Sequence, residues 1–326
     1  MKTRIANQMA EELRKAPQVA LFSHVSPDGD CIGSMLGIGL ALEKLGKDVY
    51  LYNPDPIPRN LSFLPGVDRI QTTLPDPLPQ TLLFVDCSDL QRVNLKPEQI
   101  PVRSIVLNLD HHVSNQNFGS INWVDAKASA SGEVAFELIR ELQIELTQEM
   151  ATNLYTAILT DTGSFQYSST TAKTHRIAAE LLECGTSLVK IHNQIFDQKP
   201  LAKVKLLQHA LNQLQLYADG KCAIMSLRMK DFEESGAEES LSEGLIDHAR
   251  SIQGVEVAIL LKEIDSRKVR VGLRSNLWFN VNELAARFGG GGHKRAAGCT
   301  LETSIEEAEQ ILLQAIEEEM KFGRGY

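Results

Sequence analysis

VALFSHVSPDGD, residues 19–30, is a short apolar run that stops abruptly in polar chemistry: Val19 to Phe22, then Ser23, His24, Asp28 and Asp30. A run this short and this continuously apolar reads as a strand covered on both faces. The helical pattern over 34–45, closed by Gly46, makes it the opening of a β–α unit. Three similar runs follow, VYLY (49–52), TLLFV (81–85) and SIVLNL (104–109), interleaved with helical patterns over 133–143, 148–160 and 172–184. Gly185 is the expected C′ residue of the last. The alternation predicts a mainly parallel α/β sheet through the first 190 residues.

Further along, 186–216 reads as two helices separated at Gln198-Lys199-Pro200, with Pro200 at a helix N1 position and the second helix running from Leu201 to Tyr217. A fresh unit begins with strand CAIMSL (222–227), then a helix opened by the capping box Ser240-x-x-Glu243. Strands over 255–262 and 268–275, a short helix over 281–288, the run GGGG (289–292) and an acidic helix from Ser304 complete it. The expectation is α/β with two domains: an N-terminal catalytic domain over 1–190, a helical linker over 191–217 and a smaller α/β domain over 218–326.

The composition narrows the function. The 326 residues, 43% hydrophobic and 23% charged, suit globular cores. Thirty-three Lys+Arg against forty-two Asp+Glu give a net charge of −9, which excludes broad phosphate neutralisation along duplex DNA. A small anion can still be held where a few basic groups or metal ions converge. No apolar N-terminal region or long apolar run is present, so neither secretion nor a membrane span is expected. The five scattered cysteines form no CxxC pair and no disulfide framework, which suits the cytoplasm.

The acidic and histidine residues concentrate where the expected elements end. His24, Asp28 and Asp30 follow the first strand, Asp86, Cys87, Ser88 and Asp89 the third, and Asp110, His111 and His112 the fourth, while Asp161 closes the helix over 148–160. Ligands of open α/β sheets bind outside the carboxyl ends of the strands. Each cluster alone reads as a solvated turn, but gathered carboxylates repel one another unless cations neutralise them. Asp28, Asp30, Asp86 and Asp161 carry one negative charge each, which two divalent ions balance. Carboxylates mixed with imidazoles, and no thiolate set, favour Mn²⁺ over zinc. Two such ions ~3.5–4 Å apart suit displacement at phosphorus.

The second domain offers a different tool. In the strand over 268–275, Val269, Val271 and Leu273 share one face while Arg270 and Arg274 share the other. Gly289 to Gly292 let backbone N–H groups approach an anion, as a nest does, and His293, Lys294, Arg295 and Arg274 add donors suited to phosphate. The alternative is a flexible glycine hinge with solvated basic residues. No GK[ST] follows the glycines, so this is not a P-loop.

Taken together, SHVSPDGDCIGS (23–34), VDCSD (85–89), LDHH (109–112), ILTDTGSF (158–165), VGLRSN (271–276) and FGGGGHKRAAG (288–298) resemble the motifs of the DHH/DHHA1 phosphoesterase superfamily, in order and over nearly the whole chain. Its compact NrnA-type branch is the most similar. The resemblance implies a metal-dependent phosphohydrolase that cleaves short single-stranded RNA and 3′-phosphoadenosine 5′-phosphate (pAp). Alternatives are hydrolysis of the linear dinucleotide pApA, or nucleotide sensing without turnover. It implies two Mn²⁺ per subunit, with Mg²⁺ or Co²⁺ as substitutes, one held by His24, Asp28 and Asp86 and the other by Asp30, Asp86, His111 and Asp161. Asp86 would bridge. His112 would contact substrate phosphate or act as leaving-group acid, and Asp110 would orient it. Arg274, Ser275, Gly290, Gly291, Gly292, His293 and Lys294 would bind substrate. The resemblance also allows a homodimer and gives Asp89 no role. Cys31 and Cys87, beside expected ligands where the family often has small or hydroxyl residues, are either inert packing groups or points of sensitivity to oxidation and thiophilic metals.

Overall fold

A computed structural model describes residues 2–322. The chain divides between Gln198 and Lys199 into two units. The first contains α1 (Lys2–Lys15), β1 (Gln18–Phe22), α2 (Gly29–Lys44), β2 (Asp48–Tyr52), β3 (Thr81–Val85), β4 (Ile105–Asp110), β5 (Ile121–Val124), α3 (Ser131–Glu141), α4 (Gln148–Asp161), α5 (Ala172–Glu183) and α6 (Leu188–His192). The five strands form a wholly parallel sheet in the order β2-β1-β3-β4-β5. After β2 the chain crosses over β1 to build the other half of the sheet, so β1 and β3 flank a topological switch point. Phe22 pairs with Phe84, and Val85 with Leu109, so the segments leaving β1, β3 and β4 emerge side by side.

Both faces of this sheet are covered, but not alike. Val19, Leu21, Leu83, Val85, Leu107 and Leu109 pack under the helices with Ile32, Val134 and Ile158. Ala20, Phe22, Leu82 and Phe84 face the other way, with Tyr52 of β2, onto Cys87, Val93 and Leu95 from irregular segments and a 3₁₀ turn. Phe22 stacks on Phe84 at a centroid distance of 4.8 Å. Residues on both faces are therefore apolar, which is why the strands read as unbroken hydrophobic runs.

Two helices approach the site edge closely because small residues line their contact. A Cβ on Gly33 of α2 would lie 2.4 Å from the Asn153 carbonyl oxygen of α4, and one on Gly29 would lie 2.4 Å from Thr160 Oγ1. This brings the start of α2, which carries Asp30, against the end of α4, which carries Asp161.

The second unit contains α7 (Leu201–Asn212), β6 (Gln215–Tyr217), β7 (Cys222–Leu227), α8 (Met229–Ser235), α9 (Ile246–Arg250), β8 (Val257–Asp265), β9 (Lys268–Ser275), α10 (Val281–Arg287), β10 (Gly291–His293), β11 (Ala296–Leu301) and α11 (Ile305–Phe322). Its sheet runs β10-β11-β9-β8-β7-β6, with only β7 and β8 parallel. Val269, Val271 and Leu273 bury against Leu284, Ile305, Leu312 and Ile316, and the opposite face packs on Leu206, Ile246 and Ala249.

Several sequence expectations need correction. The helix from Leu201 stops at Asn212, and 215–217 is an edge strand antiparallel to β7. Leu206 and Ala210 of α7 are fully buried in the second unit's core, so these residues belong to that unit and are not a free-standing linker. Pro200 caps α7 from outside instead of occupying its first turn. Ser240-x-x-Glu243 opens no helix: Glu239–Ser242 is one 3₁₀ turn, Glu243 is extended, and Gly244 follows at φ +78. In the glycine run, Gly291 and Gly292 join His293 in β10, paired with Ala296 to Gly298, so this part is an edge strand and not a flexible hinge.

Candidate metal centre

The segment after β1 turns through Ser26 at φ +54 and reaches Asp28, the N-cap of α2, whose Oδ1 accepts from the Cys31 N–H at 3.0 Å. Its Oδ2 lies 3.7 Å from His24 Nε2. Asp30, in the first turn of α2, is almost wholly buried, and its carboxylate accepts from Ser131 N (2.7 Å), Gly132 N (2.9 Å) and Ser34 Oγ (3.2 Å). The first-turn N–H groups of α3 thus point at a buried anion, where the helix dipole favours negative charge.

Asp86 lies at the centre. It leaves β3 in the left-handed region at φ +59, held by its N–H donating to the Leu109 carbonyl at 2.9 Å. Its two oxygens face different imidazoles: Oδ2 is 3.3 Å from His24 Nε2, and Oδ1 is 3.7 Å from His111 Nε2. Ser131 Oγ donates to Oδ1 at 2.8 Å. His111 Nε2 also lies 3.6 Å from Asp30 and 3.5 Å from Asp161. In both rings Nδ1 donates to a backbone carbonyl, of Val25 for His24 (2.8 Å) and of Ala128 for His111 (3.3 Å). Each ring therefore directs its Nε2 at the carboxylates, the orientation a metal-ligating histidine requires.

The electrostatics agree. Burial, then Asp86, Asp161 and Asp28, hold Asp30 well above the usual carboxylate range. Burial, with Asp86 and Asp28 against His111 and His112, pushes Asp161 up to about 6. Burial works to lower the His24 pKa, but Asp86 and Asp28 outweigh it and the net shift is upward. Burial and mutual repulsion destabilise these carboxylates as anions, a penalty that a divalent ion would remove. The donor set therefore fits metal ions: His24, Asp28 and Cys31 offer one group of ligand atoms, and Asp30, His111 and Asp161 another.

Around this cluster lies a hydrogen-bonded histidine–aspartate pair. His112 Nδ1 donates to Asp110 Oδ1 at 2.7 Å, while Asn115 Nδ2 donates to Asp110 Oδ2 at 2.6 Å and to Asn108 Oδ1 at 2.8 Å. The bond to Asp110 raises His112 to about 9 against its burial, and Asp110 is lowered, its burial outweighed by His112 and Asn115. Asp89 instead caps a 3₁₀ turn by accepting from Gln91 N and Arg92 N. Cys31 and Cys87 are fully buried, their thiols pushed well up by burial, with Sγ against the Asp28 backbone and the Val85 carbonyl respectively. Both fit the packing alternative.

The second unit gathers a separate basic group. Register places Arg274 opposite Ala296, and Ala296 opposite His293, across three adjacent strands. Gly291, Gly292, His293 and Lys294 are exposed on the sheet edge. Gly290 has no room for a side chain, since a Cβ would lie 2.2 Å from the Gly298 carbonyl oxygen. Two groups are otherwise engaged. Ser275 is buried with its Oγ donating to Phe279 O at 2.7 Å, and the Arg295 guanidinium donates to the carbonyls of Leu277 and Phe279. Arg295 therefore clamps a loop and is not a free phosphate donor.

Sequence reasoning missed Ser131, Gly132 and Asn115. The helix expected from 133 begins at Ser131, and its two missing residues supply the N–H groups on Asp30. The small-residue run ASASG (128–132) was the available signal. Asn115 lies in irregular chain with no periodicity to mark it.

A parallel sheet with carboxylates and imidazoles gathered at its strand ends suits metal-assisted phosphoester chemistry. Residues 18–158 match the DHH family N-terminal domain and residues 219–321 the DHHA1 domain. The chain is 34% identical to a bifunctional oligoribonuclease and PAP phosphatase NrnA of Thermus thermophilus, over 96% of this chain and 94% of that one. It is 28% identical to a protein of the same name from Bacillus subtilis, over 90% and 92%. An exopolyphosphatase-related protein from Bacteroides fragilis has the same fold, with a TM-score of 0.87 and 28% identity over 97% of this chain and 96% of that one. The chain belongs to the DHH phosphoesterase family, with a DHHA1 domain.

Proposed function

We propose that this chain is a Mn²⁺-dependent phosphohydrolase that cleaves short oligoribonucleotides to mononucleotides and removes the 3′-phosphate of pAp to give AMP. The observation that carries the reading is Asp86, whose two oxygens face the Nε2 atoms of His24 and His111 at 3.3 and 3.7 Å. That geometry suits a carboxylate shared by two ions, one also held by His24 and Asp28, the other by Asp30, His111 and Asp161. Cys31 stands beside the first set but is buried with a raised thiol pKa, so oxygen and nitrogen donors dominate and Mn²⁺ is favoured over zinc. When bound, the ions would polarise phosphoryl oxygens and lower the pKa of water.

The chain's own groups do the rest. His112, whose pKa Asp110 raises to about 9, would donate a proton to the departing ester oxygen as the P–O bond breaks. Asn115 fixes Asp110, and Ser131 fixes Asp86. Arg274, His293 and Lys294 would hold a second phosphate of the substrate by charge-assisted bonds.

The names of the Thermus and Bacillus relatives support both activities. The test is turnover of pAp, pApA and a 5-mer RNA by the full chain with Mn²⁺. AMP or mononucleotide should be released from pAp and the 5-mer, and release from none of the three overturns the enzyme reading. Arg274→Ala should raise KM for pAp roughly ten-fold, since such contacts are worth ~1.5–3 kcal/mol. Hydrolysis of bis-p-nitrophenyl phosphate should change little, as it lacks the remote phosphate. An equal loss on both substrates would place Arg274 at the reacting phosphate.

A further inference from the structure

Immediately after β9, the loop 276–280 presents Leu277 and Trp278 to solvent, 78% and 49% exposed. Large apolar groups exposed side by side cost free energy unless something covers them. The loop is not loosely held. Glu256, itself buried, accepts from the N–H groups of Leu277, Trp278 and Phe279, and the Arg295 guanidinium donates to the Leu277 and Phe279 carbonyls. Asn276 Nδ2 donates to the carbonyls of Arg250 and Val255. The indole is therefore mounted on a loop fixed from both sides, and through Arg295 it is tied to the turn that carries His293 and Lys294.

Beside it is a cavity of about 480 Å³ lined by Lys221, Arg250, Asn276, Leu277, Trp278 and Glu256. Its size suits a nucleotide-sized ligand. The carboxylate of Glu256 is occupied by the loop's backbone N–H groups, so exposed Lys221, with Arg250 held beside it by Asp247 (3.0 Å) and Asn276 (3.4 Å), edges the opening with positive charge. An exposed indole edged by cations fits a flat aromatic ring attached to an anion.

We propose that this cavity is a nucleobase subsite, in which Trp278 stacks on a base of the oligonucleotide while the adjoining basic groups take its phosphates. The inference rests on the nucleotide reading above and adds to it a platform that favours a base-bearing substrate over a bare phosphate ester. Stacking on an aromatic side chain needs no particular base, because every base has a π-face.

The chain has two tryptophans, and Trp123 is buried with no hydrogen-bond partner for its Nε1. In full-length Trp123→Phe protein kept metal-free with EDTA, Trp278 is the sole indole and no turnover occurs. Titration with a 5-mer oligoadenylate should quench its fluorescence saturably, and ribose 5-phosphate should not. With Mn²⁺ present, Trp278→Ala should raise KM for the 5-mer roughly ten-fold, Trp278→Phe should retain most of the affinity, and hydrolysis of bis-p-nitrophenyl phosphate should be unchanged. Absence of quenching by the 5-mer, equal quenching by ribose 5-phosphate, or equal loss in the Ala and Phe variants overturns the subsite. The quenching measurement involves no catalysis, so failure of the phosphohydrolase reading shows separately, as absence of turnover in a protein that still binds the base.

Discussion

Asp86 occupies a backbone conformation that few residues other than glycine, asparagine and aspartate adopt without cost. Asn keeps both the shape and the tolerance for φ +59, so Asp86→Asn isolates the charge where Ala would add backbone strain. It should fold with an unchanged circular dichroism spectrum and lose at least about a hundred-fold in kcat, the usual scale for a group that organises the reacting centre. Retention of a tenth of the activity would contradict the role. Ser131 acts one step out, through its hydrogen bond to Asp86. Ser131→Ala should lower Mn²⁺ affinity or kcat by about ten- to a hundred-fold, read by metal titration with the melting temperature as control. The raised carboxylates set a pH dependence. In the metal-free fold Asp161 binds its proton more tightly than in the unfolded chain, so its contribution to stability is present in acid and is lost as pH rises from about 4 through about 6. Divalent ions need the deprotonated form. The thermal shift produced by Mn²⁺ should therefore be large near pH 7.5 and small near pH 5, and a shift undiminished in acid would contradict this.

Among the elements, those with a strong side-chain pattern were legible in the sequence and those without one were not. TLLFV and CAIMSL coincide with β3 and β7, and KVRVGLRS with β9, because buried apolar runs and period-two alternation leave little choice. β10 is glycine-rich, and β11 begins with two alanines and a glycine, so their pairing is set by backbone proximity that no side-chain period records. β6 is three residues long and depends on β7 for its existence. The ligand candidates could be read because strand ends are where polar residues interrupt apolar runs. The N–H groups of α3 on Asp30 left only an indirect mark, the small-residue run ASASG (128–132), since backbone donors have no residue type. The packing of α2 on α4 gives an element-scale prediction. Gly33→Ala pushes a methyl into the Asn153 carbonyl and should destabilise the fold by about 1–3 kcal/mol. The corresponding fall in melting temperature is a few degrees, and activity should decline with it as Asp30 and Asp161 move apart. An unchanged melting temperature would mean that the helices have room to separate.

For the whole molecule, the net charge of −9 is partly a local matter, because Asp28, Asp30, Asp86 and Asp161 converge in one place. No described helix is long and apolar enough to cross a membrane. Each unit has its own hydrophobic core, and Asp28, Asp30, Asp86 and Asp161 all lie in the first. Mn²⁺ at ~100 times its Kd should stabilise the fold by about 2.7 kcal/mol. Hydrogen exchange should place this protection in the first unit, and equal slowing throughout residues 199–322 would contradict a site confined to it. The central claim is a pair of ions sharing Asp86, and electron paramagnetic resonance of the Mn²⁺-titrated full chain tests it most directly. Two Mn²⁺ per chain giving a spin-coupled dinuclear spectrum, replaced in Asp86→Asn by uncoupled or missing ions, is the predicted result. Saturation at one Mn²⁺, or two ions with the isolated six-line spectrum in the wild-type protein, would contradict it.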